Sequence, residues 1–218
     1  SDAFSEFSKL IGKDAEIEIY YKETNALRTV RNVLQDDYKL GIIRYAENYD
    51  RYYKSMMDEK GLDYELITEF SPVLIINEKS PLAEKENITS GDLKGYFEVS
   101  HPDPYVPSLP TSEVKKEELP ENSPRRIFVF ERASLLELLS ENEETFTVGS
   151  PVPEKTLRRY GLVARKYVDS DRKYKDMLIH RKDYIHSELD DLFIECVIAS
   201  KGAFFNFARG ISINATPI

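Results

Sequence analysis

The sequence predicts an α/β protein built as two lobes, and three observations carry that prediction. Residues 15–45 read as strand, helix, strand, the βαβ unit of a parallel sheet. An extended stretch over residues 64–76 is broken by Ser71-Pro72, which marks a first passage between lobes. A second extended stretch over residues 162–167 offers a return passage, so the expected lobes are residues 1–70 with 168–218, and residues 71–167. Each lobe is expected to be a mostly parallel sheet flanked by helices, with these two stretches as the hinge crossings.

The individual elements follow from periodicity and punctuation. Phe4, Phe7, Leu10 and Ile11 recur at helical spacing and Gly12 is a natural stop. Ala15, Ile17, Ile19 and Tyr21 alternate with charged or polar neighbours, the two-residue period of a strand. Thr24 or Asn25 caps a helix carrying Leu27, Val30, Val33 and Leu34. Leu40-Gly41-Ile42-Ile43-Arg44-Tyr45 is a short apolar run suited to a buried strand. A polar helix with Tyr49, Tyr52, Tyr53, Met56 and Met57 ends at Gly61, and strands are expected over residues 64–70 and 73–76.

Further along, residues 96–99 read as a strand ending at Ser100-His101, and four prolines among residues 107–124 mark the most loop-like region. Residues 126–131 are a strand. Ser134 and Glu137 have capping-box spacing, so the next helix is predicted to open at Ser134. Residues 146–148 form a short strand, Pro153 and Gly161 bracket a helix, residues 177–180 form a strand, and Ser187 caps the last helix over residues 188–199. The tail beyond Gly202 is apolar, with strand-like alternation at Ile211-Ser212-Ile213.

Composition bounds the function. The chain of 218 residues carries a formal net charge of −9, and 41% of its residues are hydrophobic, enough for a real core. An isoelectric point near 5.0 and a mean hydropathy of −0.48 describe an acidic surface, which repels a phosphate backbone. The pairs Arg125-Arg126 and Arg158-Arg159 lie in acidic context and read as solvated faces. A lone Cys196 forms no internal disulfide, and no apolar run reaches membrane-spanning length, so a reducing, cytoplasmic setting is expected.

No catalytic motif is legible. The sequence contains neither a Gly-x-Ser-x-Gly elbow nor His-Glu-x-x-His nor a glycine-rich phosphate loop, and His101, His180 and His186 lack metal-ligand spacing. No enzyme, cofactor or metal is expected.

Several runs together resemble the effector-binding domain of LysR-type transcriptional regulators. Ile17-Glu18-Ile19-Tyr20-Tyr21-Lys22-Glu23-Thr24-Asn25 resembles that family's strand, acidic residue, small loop and helix start. Leu40-Gly41-Ile42-Ile43-Arg44 is similar to its next strand, with Lys39 where Asp is usual. Val73-Leu74-Ile75-Ile76, continuing to Ser80-Pro81-Leu82-Ala83, is similar to a stretch ending in His-Pro-Leu-Ala, with Ser80 in place of His. Residues 89–93 are similar to the short helix that follows there.

The resemblance implies a type II periplasmic-binding-protein-like fold and a small molecule bound in the cleft between the lobes. It further implies a homodimer or homotetramer, and DNA contact only through an N-terminal winged helix-turn-helix preceding Ser1. The family's first strand would also precede Ser1, and residues 211–215 are expected to occupy its slot. The alternative is the solute-binding protein of a transporter, which shares the fold logic; an enzyme on the same scaffold is a third reading.

In such a layout ligands meet the carboxyl ends of strands, where helix N-termini present amides to an anion. The loops that qualify carry Thr24 and Asn25, Arg44 and Tyr45, Ser100 and His101, Arg132 and Ser134, and Gly149 and Ser150. Arg44 and Arg132 suit a ligand carboxylate, so the effector is expected to be an anion.

Overall fold

The computed structural model describes residues 2–12, 16–101 and 125–208, with side chains as far as Lys201. The prolines of residues 107–124 and the segment 211–215 therefore lie outside the described residues. Two compact units divide the chain, Ser1–Glu69 with Lys175–Ile218, and Phe70–Tyr174.

The first unit contains helix α1 (Asp2–Leu10), helix α2 (Ala26–Gln35), strand β1 (Gly41–Ala46), helix α3 (Asp50–Glu59), strand β2 (Leu62–Phe70), strand β9 (Tyr174–Arg181) and the last helix, here α6 (Glu188–Ala208). Its three strands lie in the order β1-β9-β2. One core holds Val30 and Val33 of α2, Ile43 and Tyr45 of β1, Tyr53 and Met57 of α3, Leu62, Met177 and Ile179. Phe7 of α1 meets Phe193 of α6 edge to face at 5.4 Å. Ser187 Oγ and the Asp190 carboxylate cap the start of α6 reciprocally, Ser187 N–H to Asp190 at 2.8 Å and Asp190 N–H to Ser187 Oγ at 3.3 Å.

The second unit contains β3 (Val73–Asn77), β4 (Asn87–Ile88), β5 (Phe97–Ser100), β6 (Arg126–Phe128), helix α4 (Arg132–Glu141), β7 (Thr145–Gly149), helix α5 (Glu154–Arg159) and β8 (Leu162–Tyr167). These strands form one mixed sheet, β4-β8-β3-β7-β5-β6. Central β3 runs antiparallel to β7 and β8, whereas β5 is parallel to β6 and β7. Successive side chains of β3 serve opposite faces: Leu74 and Ile76 join Leu82, Ile88 and Phe146, while Ile75 joins Val99, Leu135, Leu139 and Leu162. A strand covered on both sides needs the continuous apolar run that its sequence shows.

Four expectations are corrected. Residues 16–21 form no strand: a ladder needs a neighbour, none of the described strands pairs there, and Ile17, Ile19, Tyr20 and Tyr21 are exposed. Residues 162–167 are not a passage but β8, paired on both sides with β3 and β4, and the chain leaves the second unit after Tyr174. The helix after β6 opens at Arg132 with Glu131 as N-cap, which places Ser134 inside its first turn, so the Ser134 capping box does not form. Pro153 is the N-cap of α5 rather than its first helical residue.

Candidate functional site

The second unit gathers six of the sequence-predicted residues at one sheet edge. Parallel pairing of β5 with β6 and β7 sends all three carboxyl ends the same way, and Gly149 at the end of β7 pairs with Val73 at the start of β3. Ser100 ends β5, Gly149 ends β7 with Ser150 next, and β6 leads through residues 129–131 into α4, whose first turn carries Arg132 and Ser134.

Local bonding fixes this edge. Ser100 C=O accepts the Val129 amide at 3.0 Å, and Val129 C=O accepts His101 Nδ1–H at 2.9 Å, so residues 100–101 are tied to the strand exit beside them. The Ser100 hydroxyl differs from its surroundings. It is buried and has no hydrogen-bond partner among the described residues, a state that costs about 1–3 kcal/mol. Glu131 caps α4 without a side-chain bond to its first amides. Those N–H groups and the positive end of the helix dipole favour an anion.

Two residues before Ser100, Glu98 is 3% exposed and pairs with Arg126 Nε at 3.2 Å. Burial pushes its carboxyl up, and Arg126 offsets this only in part. Nothing in the sequence pattern singles out Glu98, because its burial follows from β5 having neighbours on both sides.

In the first unit the predicted residues are engaged structurally. Asn25 is the N-cap of α2, its Oδ1 accepting the Arg28 amide at 2.8 Å and its C=O accepting Thr29 N–H at 2.9 Å, with Thr24 half-buried before it. Arg44 donates from Nε and Nη2 to both oxygens of Asp176, at 2.6 and 2.8 Å. Lys201 adds a bond to Asp176 at 2.8 Å, and the carboxylate is 2% exposed. Burial would raise the Asp176 pKa, but the two cations outweigh it and hold the carboxyl below its ordinary range. Tyr45 is buried, stacks on Tyr53 at 4.3 Å and donates its hydroxyl to Asp50 at 3.0 Å. Burial, then the Asp50 charge, drives this phenol well above the usual tyrosine range.

Among the described residues no group of three or more His, Cys, Asp or Glu side chains is placed to hold a metal ion. No described helix is long and apolar enough to cross a membrane.

No family model matches the chain, and no curated protein matches it in sequence. Solved structures do match its fold. The effector-binding domain of QuiR in complex with shikimate is 16% identical and superimposes with a TM-score of 0.58, covering 92% of this chain and 89% of that one. The regulatory domain of MetR, a LysR family regulator from N. meningitidis, is 19% identical with a TM-score of 0.56, covering 92% and 86%. HinK, a LysR family transcriptional regulator from Pseudomonas aeruginosa, is 13% identical with a TM-score of 0.59, covering 93% of this chain and 65% of that one. The chain thus has the α/β, type II periplasmic-binding-protein-like fold of the effector-binding domains of LysR-family regulators.

Proposed function

We propose that this chain is the effector-sensing domain of a LysR-type transcriptional regulator. It binds a small anionic molecule without transforming it and alters DNA binding by a winged helix-turn-helix joined to its N-terminus. The regulator works in the cytoplasm as a homodimer or homotetramer. Differential affinity for two conformations is the only means by which such a ligand shifts an equilibrium.

One observation carries the binding proposal: the buried hydroxyl of Ser100 at the carboxyl end of β5, without a hydrogen-bond partner among the described residues, on the edge where α4 begins without a side-chain cap. A carboxylate placed there would accept from Ser100 and from the first α4 amides, giving the Ser100 hydroxyl the partner it lacks among the described residues. His101, Arg132, Ser134, Gly149 and Ser150 stand at the same edge. The similar structures are regulatory domains, and this favours sensing over the transporter solute-binding reading and over catalysis.

A thermal-shift screen of small carboxylates tests the proposal, with shikimate in the panel because the QuiR domain was solved with it. A ligand at a hundred times its dissociation constant stabilises by about 2.7 kcal/mol, which raises the midpoint by about 5–10 °C for a chain of this size. A binder whose affinity is unchanged by Ser100→Ala would overturn the placement, and conversion of any bound molecule would overturn the non-enzymatic reading.

A further inference from the structure

The turn between β9 and α6 brings two histidines into contact. β9 ends at Arg181, the Tyr184 amide bonds back to the Arg181 carbonyl at 3.0 Å, and Ser187 caps α6. The chain doubles back within these few residues, and the ring centres of His180 and His186 stand 4.5 Å apart at an interplanar angle of 76°. Their separation in sequence matches neither the i, i+4 spacing of a helix face nor the i, i+2 spacing of a strand face, so only the turn reveals the pair.

Each ring has its Nδ1 engaged. His180 Nδ1 lies 2.9 Å from the Arg181 carbonyl, and an oxygen that only accepts places the hydrogen on Nδ1. His186 Nδ1 faces the Asp191 carboxylate at 3.4 Å, which favours the same tautomer. In both neutral rings the lone pair then sits on Nε2. His186 Nε2 is buried and has no hydrogen-bond partner among the described residues. A carbonyl or carboxylate at one ring nitrogen, with the lone pair on the other, is the arrangement that orients metal-bound histidines.

The ring separation also suits a single ion. With metal–nitrogen bonds of about 2.0–2.1 Å each ring centre lies about 3.2 Å from the ion, and two rings at right angles about it stand about 4.5 Å apart. Charge agrees, because residues 181–191 hold Asp183, Glu188, Asp190 and Asp191 against Arg181 and Lys182. Tyr184 and Ser187 engage the Asp190 carboxylate, while Asp191 is 64% exposed beside the His186 ring. Imidazole nitrogen selects zinc, nickel or copper over magnesium and calcium, which take oxygen.

We propose that His180 and His186 together bind one divalent ion of the zinc, nickel and copper class through their Nε2 atoms, pinning the end of β9 to the start of α6. Solvent fills the remaining positions, since no third His, Cys, Asp or Glu is in place among the described residues. The inference stands apart from the effector reading.

Zinc titrated into the full chain tests it, by calorimetry for affinity and by ring-nitrogen correlation spectra for the atoms that take the metal. The expected result is one zinc per chain, with the Nε2 resonances of His180 and His186 moving together. Binding should weaken at least about tenfold in His180→Gln and in His186→Gln. Cys196→Ser, which removes the chain's one thiol, should bind zinc as the parent does. The ring spectra are read on the parent protein, so the result stands even where a variant folds poorly. Zinc that moves neither ring or only one overturns the proposal, as does loss of binding in Cys196→Ser or an absence of binding at millimolar zinc.

Discussion

Replacing Arg44 with methionine decides whether this arginine is a clamp or a ligand arm. In the structure its guanidinium makes two bonds to Asp176, at 2.6 and 2.8 Å, and the carboxylate is 2% exposed. Hydrogen bonds to a charged group contribute about 1.5–3 kcal/mol, and stripping a buried pair of one member costs about 3–5 kcal/mol. Lys201 remains on Asp176 at 2.8 Å, and 35% of the Arg44 side chain lies in water, so the cost falls to about 2–3 kcal/mol. Urea unfolding at neutral pH is the assay; with a slope near 2 kcal/mol per molar, the midpoint drops by about 1–1.5 M. Arg44→Met combined with Asp176→Leu should cost less than the sum of the single changes by at least about 1 kcal/mol. A midpoint unmoved by Arg44→Met, together with tenfold weaker binding of a carboxylate, would refute the clamp and make Arg44 a ligand contact.

Other expectations follow from single sites. Because the Asp176 pKa is lowered on folding, its contribution is present above the unfolded value of 3.8 and is lost as pH falls through the folded value, so Asp176→Asn should flatten the acid limb of the stability profile. Glu98 has the opposite sign: its folded pKa lies above 4.5, so stability is lost as pH rises through that value, and Glu98→Gln should gain on the parent protein as pH rises, by urea titration. Gly41→Ala puts a Cβ 2.6 Å from Thr29 Cγ2 and 3.0 Å from Val33 Cγ2 and Ile179 Cγ1, which should cost about 1–3 kcal/mol of stability. Ser100→Ala should leave the unliganded protein as stable or stabilise it by up to about 1 kcal/mol, while weakening the effector about tenfold by calorimetry.

The fold was legible where a segment's periodicity and its surroundings agree. β3 reads as a buried strand because both its faces are covered, and α2 announces itself through Asn25 and an apolar stripe. The stretch at residues 16–21 has the alternation of a strand but pairs with no strand among the described residues, and pairing is a property of two segments that one segment's pattern does not contain. Residues 162–167 misled for a related reason: an extended run looks alike as a passage and as β8, and only the register with β3 separates them.

The candidate site shows the same division. Strand exits at Ser100 and Gly149 were readable as loops, since turn residues follow apolar runs. The partner of Arg44 was not, because Asp176 lies 132 residues away and nothing local links them. Ser134 and Glu137 have the spacing of a capping box, yet the helix starts earlier and uses Glu131, so the spacing alone did not fix the register.

Effector binding at the β5, β6 and β7 exits is tested most directly by amide chemical shifts of the labelled chain titrated with the strongest carboxylate from the thermal screen. The account predicts saturable shifts at Ser100, His101, Arg132, Ser134, Gly149 and Ser150, with the Ser100 shift lost in Ser100→Ala. Saturable binding that leaves all six unmoved, or no binding by any small anion, would contradict it.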